Sequence, residues 1–171
     1  FRRSRGLGDV YKRQVLAFVF SIIIFLSYGF SQKMPSTKDA NINAIIPPLG
    51  FDTTSAFNGY LSIQNSAAIM MLQLENSNYI RISDAINEDY IARNKLILKT
   101  REDIKTNSGD KGKELTFTFE LNGTTFIRKM VFIGDTKNTL WLNITYPMDL
   151  EELLNEPITR SISSANLKML E

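Results

Sequence analysis

Apolar and polar side chains alternate through the second half of the chain, a pattern typical of half-buried β-strands. In residues 114–121, ELTFTFEL, every second side chain is apolar. Asn122-Gly123 follows, the dipeptide preferred in two-residue hairpin turns, and residues 125–133 read as the second strand of that hairpin. Residues 95–107 and 139–146 complete a set of four strands.

The last of these strands shows which face we expect to be inside. One face of residues 139–146 is uniformly apolar and is predicted to point inward, which leaves Trp141 on the opposite face. In the strand before it, Arg128 and Lys129 interrupt an apolar run, so one of the two is expected to point to solvent.

Three further strands are predicted nearer the amino terminus. Residues 45–51, IIPPLGF, contain two prolines and can form at most an edge strand or an entry segment. Residues 60–64 and 67–74 resemble a β-hairpin, and the nearly continuous apolar run of 67–74 predicts a central strand buried on both faces.

Two segments have helical periodicity. In residues 76–94, Tyr79, Ile82, Ile86 and Tyr90 fall on one helical face. The second helix follows residue 149, where Pro157 is expected to kink or restart it. Its predicted inward stripe is Leu150, Leu153, Leu154, Ile158 and Ile162.

The predicted order is therefore β-β-β-α-β-β-β-β-α. It indicates an α+β fold: a central antiparallel sheet of about six to seven strands flanked by two main helices.

The amino-terminal segment predicts export. Residues 15–32, VLAFVFSIIIFLSYGFSQ, carry no charge and have the length of a signal peptide, with an uncleaved anchor helix as the alternative. Residues 1–14 are either its basic n-region or a non-native tail. Residues 33–44 are predicted to be a polar spacer and 45–171 a single domain.

The charge balance excludes one class of partner. The chain has 20 basic and 18 acidic residues, but residues 1–14 hold five of the former and one of the latter. Residues 33–171 therefore have a net charge of −2, so no basic nucleic-acid footprint is expected. After signal cleavage no stable membrane span is expected.

Two residue types are absent. Without Cys there are no disulfides, thiol nucleophiles or thiolate metal sites, and without His the commonest general base and zinc ligand are missing. We predict no catalytic residues, no metal site and no cofactor. A hydrolase that uses carboxylates alone is the remaining enzymatic hypothesis and the least favoured, because the acidic residues are scattered.

Four residues are candidates for a ligand or partner surface. Arg128 could line a ligand cleft with Trp141 by a cation–π contact, and Tyr79 and Tyr90 would face the sheet from the first helix. Ordinary core packing is the competing interpretation of all the apolar positions.

The order of elements resembles the PsbP-like fold family. The resemblance rests on Pro48-Leu49-Gly50-Phe51 at the start of the domain and on Asn94, where a helix ends before a long strand. It also rests on the Asn122-Gly123 hairpin and on Tyr146-Pro147 before an acidic helix. The family shares its fold with a Ran-binding nuclear-import factor and with bacterial envelope proteins.

The resemblance implies an α-β-α sandwich and a non-enzymatic, accessory role. The lead hypothesis is a secreted or periplasmic binding domain with a protein partner in the cell envelope. The alternative is a carrier of a small apolar or amphipathic ligand, held between sheet and helices near Trp141.

Overall fold

A computed structural model describes residues 36–170, and the predictions for residues 1–35 lie outside this part of the chain. The strands are β1 Thr37–Asp39, β2 Asp52–Thr53, β3 Gly59–Ser62, β4 Ala67–Glu75, β5 Ile97–Lys105, β6 Lys111–Leu121, β7 Thr124–Gly134 and β8 Asn138–Pro147. The α-helices are α1 Tyr79–Asp84, α2 Glu88–Arg93 and α3 Glu151–Ser163. Short 3-10 turns lie at Ile42–Ala44, Met148–Leu150 and Leu167–Leu170.

The strands form one antiparallel sheet, as predicted. Its order is β2-β3-β4-β8-β7-β6-β5, and β1 pairs with β4 outside that path. Strands β5 to β8 are sequential neighbours, whereas β4 pairs with β8, so that Leu72 is opposite Trp141. The α+β class and the central antiparallel sheet are thereby confirmed.

The hairpin between β6 and β7 is confirmed in detail. Asn122 has a φ of 52° and Gly123 a φ of 78°, the two positive values that a type I′ turn requires. The turn sets a register in which Phe119 is opposite Phe126 and Phe117 is opposite Arg128.

Helices cover both faces of the sheet. One face, which we call the α3 face, packs against Leu154, Ile158 and Ile162 of α3 and carries Ile69 and Leu142. The opposite face, which we call the Trp141 face, lies under α1 and α2. Every residue of β8 after Asn138 is buried, so the expectation that only the Leu140 side points inward is wrong.

The first predicted helix is two helices. Asn78 caps α1, where its side chain accepts a hydrogen bond from the Ile80 amide at 2.8 Å. Asn87 caps α2 in the same way, accepting from the Tyr90 amide at 3.0 Å. A second N-cap within the periodic segment starts a new helix, which the apolar spacing alone does not reveal.

The described part of the predicted spacer, residues 36–44, belongs to the domain. Thr37 pairs with Leu74 in the sheet, and Ala40 and Ala44 are buried in the core. The polar composition of this segment reflects a three-residue edge strand whose side chains are exposed.

Helix α3 corrects two further expectations. It continues through Pro157 and does not restart there, and Leu153 is 60% exposed instead of facing the core. The other members of the inward stripe are as predicted: Leu154, Ile158 and Ile162 are buried, and Leu150 packs against the core.

Candidate functional site

The four candidate residues named from the sequence all lie on the Trp141 face. Arg128 and Trp141 are buried, at 1% and 4% exposure, and so is Tyr90 of α2. Tyr79 at the start of α1 is half-buried. Three of the four candidates are therefore interior, and Tyr79 is partly exposed.

Arg128 makes a cation–π contact, but with Phe119 and not with Trp141. Its guanidinium carbon lies 4.6 Å from the centre of the Phe119 ring, and that ring stacks on Phe126 at 5.6 Å. Trp141 stacks instead on Phe132, its cross-strand neighbour, with ring centres 5.8 Å apart. Arg128 and Trp141 therefore contact different aromatic rings on this face.

Burial sets the electrostatics of Arg128. Desolvation lowers the pKa of Arg128 to about 10, while attraction to Tyr90 opposes that shift. The guanidinium thus stays charged at neutral pH. Desolvation also raises the pKa of Tyr90, and the charge of Arg128 offsets part of this rise.

Lys129, the neighbour of Arg128, points to the α3 face and is also buried. Its Nζ atom lies 2.6 Å from Oε1 of Glu114, and the two side chains are only 9% and 13% exposed. The expectation that either Arg128 or Lys129 faces solvent is therefore wrong: the helices on each face bury one of the two cations.

A groove on the other side of the molecule was not predicted. It lies between α3 and the segment 46–49, and its volume is about 870 Å³. Its walls include Ile46, Leu49 and Leu153, and in these three residues large apolar side chains face solvent. Leu49 is fully exposed, and Ile46 and Leu153 are 71% and 60% exposed.

Both borders of the groove are held in place. The amide of Ile46 donates to Ser164 Oγ at 2.7 Å, and Ile45 and Phe51 on either side of segment 46–49 are buried in the core. At the far end, the amide of Asn107 donates to the carbonyl of Ser163 at 2.8 Å. The groove is therefore built from backbone segments that are tied to α3.

The polar groups of the groove are few. Arg160 is the one charged residue among the described residues that line it. Ser161 also borders the groove, and its buried hydroxyl has no hydrogen-bond partner within residues 36–170. No described carboxylate lines the groove, so it lacks the acid–base pair that a carboxylate hydrolase requires.

Sequence reasoning missed the groove because exposure of apolar residues depends on tertiary packing. One signal was present. Two adjacent prolines between Ile46 and Leu49 restrict the backbone, so these two side chains cannot turn freely toward the core.

Two other properties concern metals and membranes. Within residues 36–170, no three acidic side chains lie close enough together to hold a metal ion. None of the helices in the same range is long and apolar enough to cross a membrane.

No protein-family model matches the chain, and no curated protein matches it either. Several solved structures do match the chain. Cyanobacterial PsbP (CyanoP) from Synechocystis sp. PCC 6803 is 7% identical, with a TM-score of 0.53, over 80% of this chain and 95% of that chain.

Two further structures are more distant in shape. LpqN, involved in cell envelope biogenesis of Mycobacterium tuberculosis, is 14% identical, with a TM-score of 0.49, over 78% of this chain and 83% of its own. The protein of unknown function PA94 from Pseudomonas aeruginosa is 14% identical, with a TM-score of 0.41, over 80% of this chain and 85% of that chain. The similarity to PsbP concerns the fold alone: a central antiparallel sheet with helices on both faces. The chain has a PsbP-like fold.

Proposed function

We propose that this protein is a non-catalytic binding domain of the cell envelope and that it holds a protein partner in the groove beside α3. The observation that carries the proposal is the exposed apolar rim formed by Ile46, Leu49 and Leu153. Scattered apolar residues on a surface are ordinary, but a cluster around a groove is typical of an interaction site.

The shape of the groove supports a polypeptide partner. Small-molecule sites bury most of their ligand, and their apolar groups line the interior of a cleft. Here the apolar side chains stand at the rim and face outward, so they are positioned to contact a larger surface. Because helices already cover both faces of the sheet, this rim is not an uncovered part of the core.

The localisation is part of the proposal. Residues 15–32 have the composition of a signal peptide, which indicates a secreted or periplasmic protein. Absence of Cys from the chain suits an envelope domain that folds without disulfides, since a core of this size is sufficient.

A second candidate function is a carrier of a small apolar or amphipathic ligand. The volume of the groove, about 870 Å³, falls within the usual range of ligand pockets, roughly 300–1,000 Å³. The groove is the site that we propose for such a ligand.

Photo-crosslinking tests the lead proposal. A benzophenone amino acid replaces Leu49 in the full chain, and the control carries it at Ile97, which is 60% exposed on the edge strand β5. We expect a discrete protein adduct from position 49 in envelopes of the producing cells, and its loss when Leu153→Asp is added.

Equal labelling from positions 49 and 97, or no adduct from position 49, would contradict a protein partner in the groove. Native mass spectrometry of the purified protein examines the second candidate. A small molecule that co-purifies with the wild type and is lost from Leu153→Asp would favour a carrier.

A further inference from the structure

We infer that the groove beside α3 recognises an apolar segment of its partner polypeptide that carries a carboxylate, and that this carboxylate pairs with Arg160. The inference rests on the proposed function and specifies the chemistry of the partner.

Charge is the first support. Arg160 is the sole charged side chain among the described lining residues, so it determines the sign of the charge that the groove favours. Its side chain is 71% exposed, and a guanidinium offers a planar set of donors that fits a carboxylate in two-point contact.

The present neighbour of Arg160 does not prevent this pairing. Nη1 of Arg160 lies 3.6 Å from Oε1 of Glu156, and the Glu156 side chain is 79% exposed. An exposed pair at this distance contributes little, so the guanidinium can exchange Glu156 for an incoming carboxylate or contact both.

The distribution of charge along α3 gives the carboxylate one favoured position. Glu151 and Glu152 are exposed in the first turn of the helix, whereas Arg160 lies in the last turns. A carboxylate bound near the start of α3 would meet these acids, while one bound near Arg160 would meet the cation. The partner's acidic residue is therefore expected at the Arg160 end of the groove.

The opposite wall explains why the remaining contacts are apolar. Pro47 and Pro48 have no amide hydrogen, and the carbonyl of Pro48 accepts from the Phe51 amide at 3.2 Å. A partner strand could not extend a hydrogen-bonded ladder along this wall. Specificity must come from side chains, with Ile46 and Leu49 on one side and Leu153 on the other.

Selection from a phage-displayed library of random 12-residue peptides on the full chain tests the inference. We expect selected peptides to combine apolar residues with Asp or Glu, and Arg160→Glu to replace that acidic preference by Lys or Arg. The matched control is Arg81→Glu, an exposed arginine of α1 outside the groove, which should keep the acidic preference.

A synthetic copy of a selected peptide shows how much its acidic residue contributes to binding affinity. Replacing its acidic residue by the neutral amide should weaken binding to the wild type about 2- to 5-fold, which is the range of exposed ion pairs, and should leave binding to Arg160→Gln unchanged. Fluorescence anisotropy measures both affinities.

The failures of the two proposals are distinguishable. If no peptide is selected, or if binding survives Leu153→Asp, the groove is not a polypeptide site and the proposed function is also overturned. If binding depends on Leu153 but shows no acidic preference, or if Arg160→Glu keeps that preference, only the pairing with Arg160 is overturned.

Discussion

At the scale of single residues, the adjacent cations Arg128 and Lys129 show that strand β7 is buried on both faces. They point to opposite faces of β7, and each is buried under a different helical layer. Arg128 lies against the Phe119 ring, whereas Lys129 is paired with the Glu114 carboxylate. Each face of β7 therefore buries a cation beside a specific neighbour.

The Lys129–Glu114 pair leads to a stability prediction. Glu114→Leu alone leaves a buried ammonium without its carboxylate and should lower the free energy of unfolding by about 3–5 kcal/mol. The double variant with Lys129→Met removes both charges and should be close to the wild type in stability. Urea unfolding of the wild type, the two single variants and the double variant gives the coupling free energy between the two side chains.

The exposed pair Lys113–Asp103, at 2.9 Å, is the matched control. Because the Asp103 side chain is 82% exposed, Asp103→Ala should cost less than about 1 kcal/mol. If Glu114→Leu lowers the free energy of unfolding no more than Asp103→Ala does, the buried pair contributes no more to stability than the exposed pair.

At the scale of elements, tight backbone contacts determine where strands pair. Gly59 begins β3 opposite Met70 with a φ of +149°, and a Cβ atom at this position would overlap the Ile69 carbonyl. The close approach of β3 to β4 therefore requires glycine there.

Gly59→Ala should lower the free energy of unfolding by about 2–3 kcal/mol, since it combines an unfavourable φ with a backbone clash. Gly109→Ala is the control: its φ is +90°, but its nearest neighbour is the flexible end of Lys105, 3.9 Å from the added Cβ. This variant should lose only about 1 kcal/mol. Equal losses in thermal or urea unfolding would show that packing against Ile69 is unimportant.

At the scale of the whole molecule, buried phenols make stability depend on alkaline pH. Desolvation raises the pKa of Tyr60, Tyr90 and Tyr146, the last with a further rise caused by Glu151 and Glu114. Above about pH 10 the unfolded chain loses these protons while the folded chain keeps them, so stability falls as pH rises. Burial lowers the pKa of Arg128, so this one group has the opposite effect: its contribution to stability rises with pH above about 10.

Tyr146→Phe should reduce this alkaline loss by up to about 1.4 kcal/mol per pH unit between pH 10 and 11.5, the contribution of one proton. At pH 8 the variant should be at least as stable as the wild type, because the Tyr146 hydroxyl is buried without a hydrogen-bond partner among the described residues. Urea unfolding across pH 8–11.5 measures both. An unchanged slope would exclude Tyr146 as a source of the alkaline loss.

The sequence predicted much of this architecture, since local patterns determine strands and turns. Asn122-Gly123 predicted its hairpin, and the run 67–74 predicted a strand buried on both faces. Which side chains the helices bury against the sheet could not be predicted in the same way. Whether Trp141 is inside depends on α1 and α2, and whether Leu153 is outside depends on which face of α3 meets the sheet.

The order of strands also has a consequence for the route of folding. Strands β5 to β8 form a meander of neighbouring hairpins, whose short loops close rapidly. The pairing of Leu72 with Trp141 must instead close a loop that contains both short helices and strands β5 to β7. We therefore expect strand β4, with β3 and β1 beside it, to join the sheet after the meander has formed, and the groove wall at segment 46–49 to be completed last.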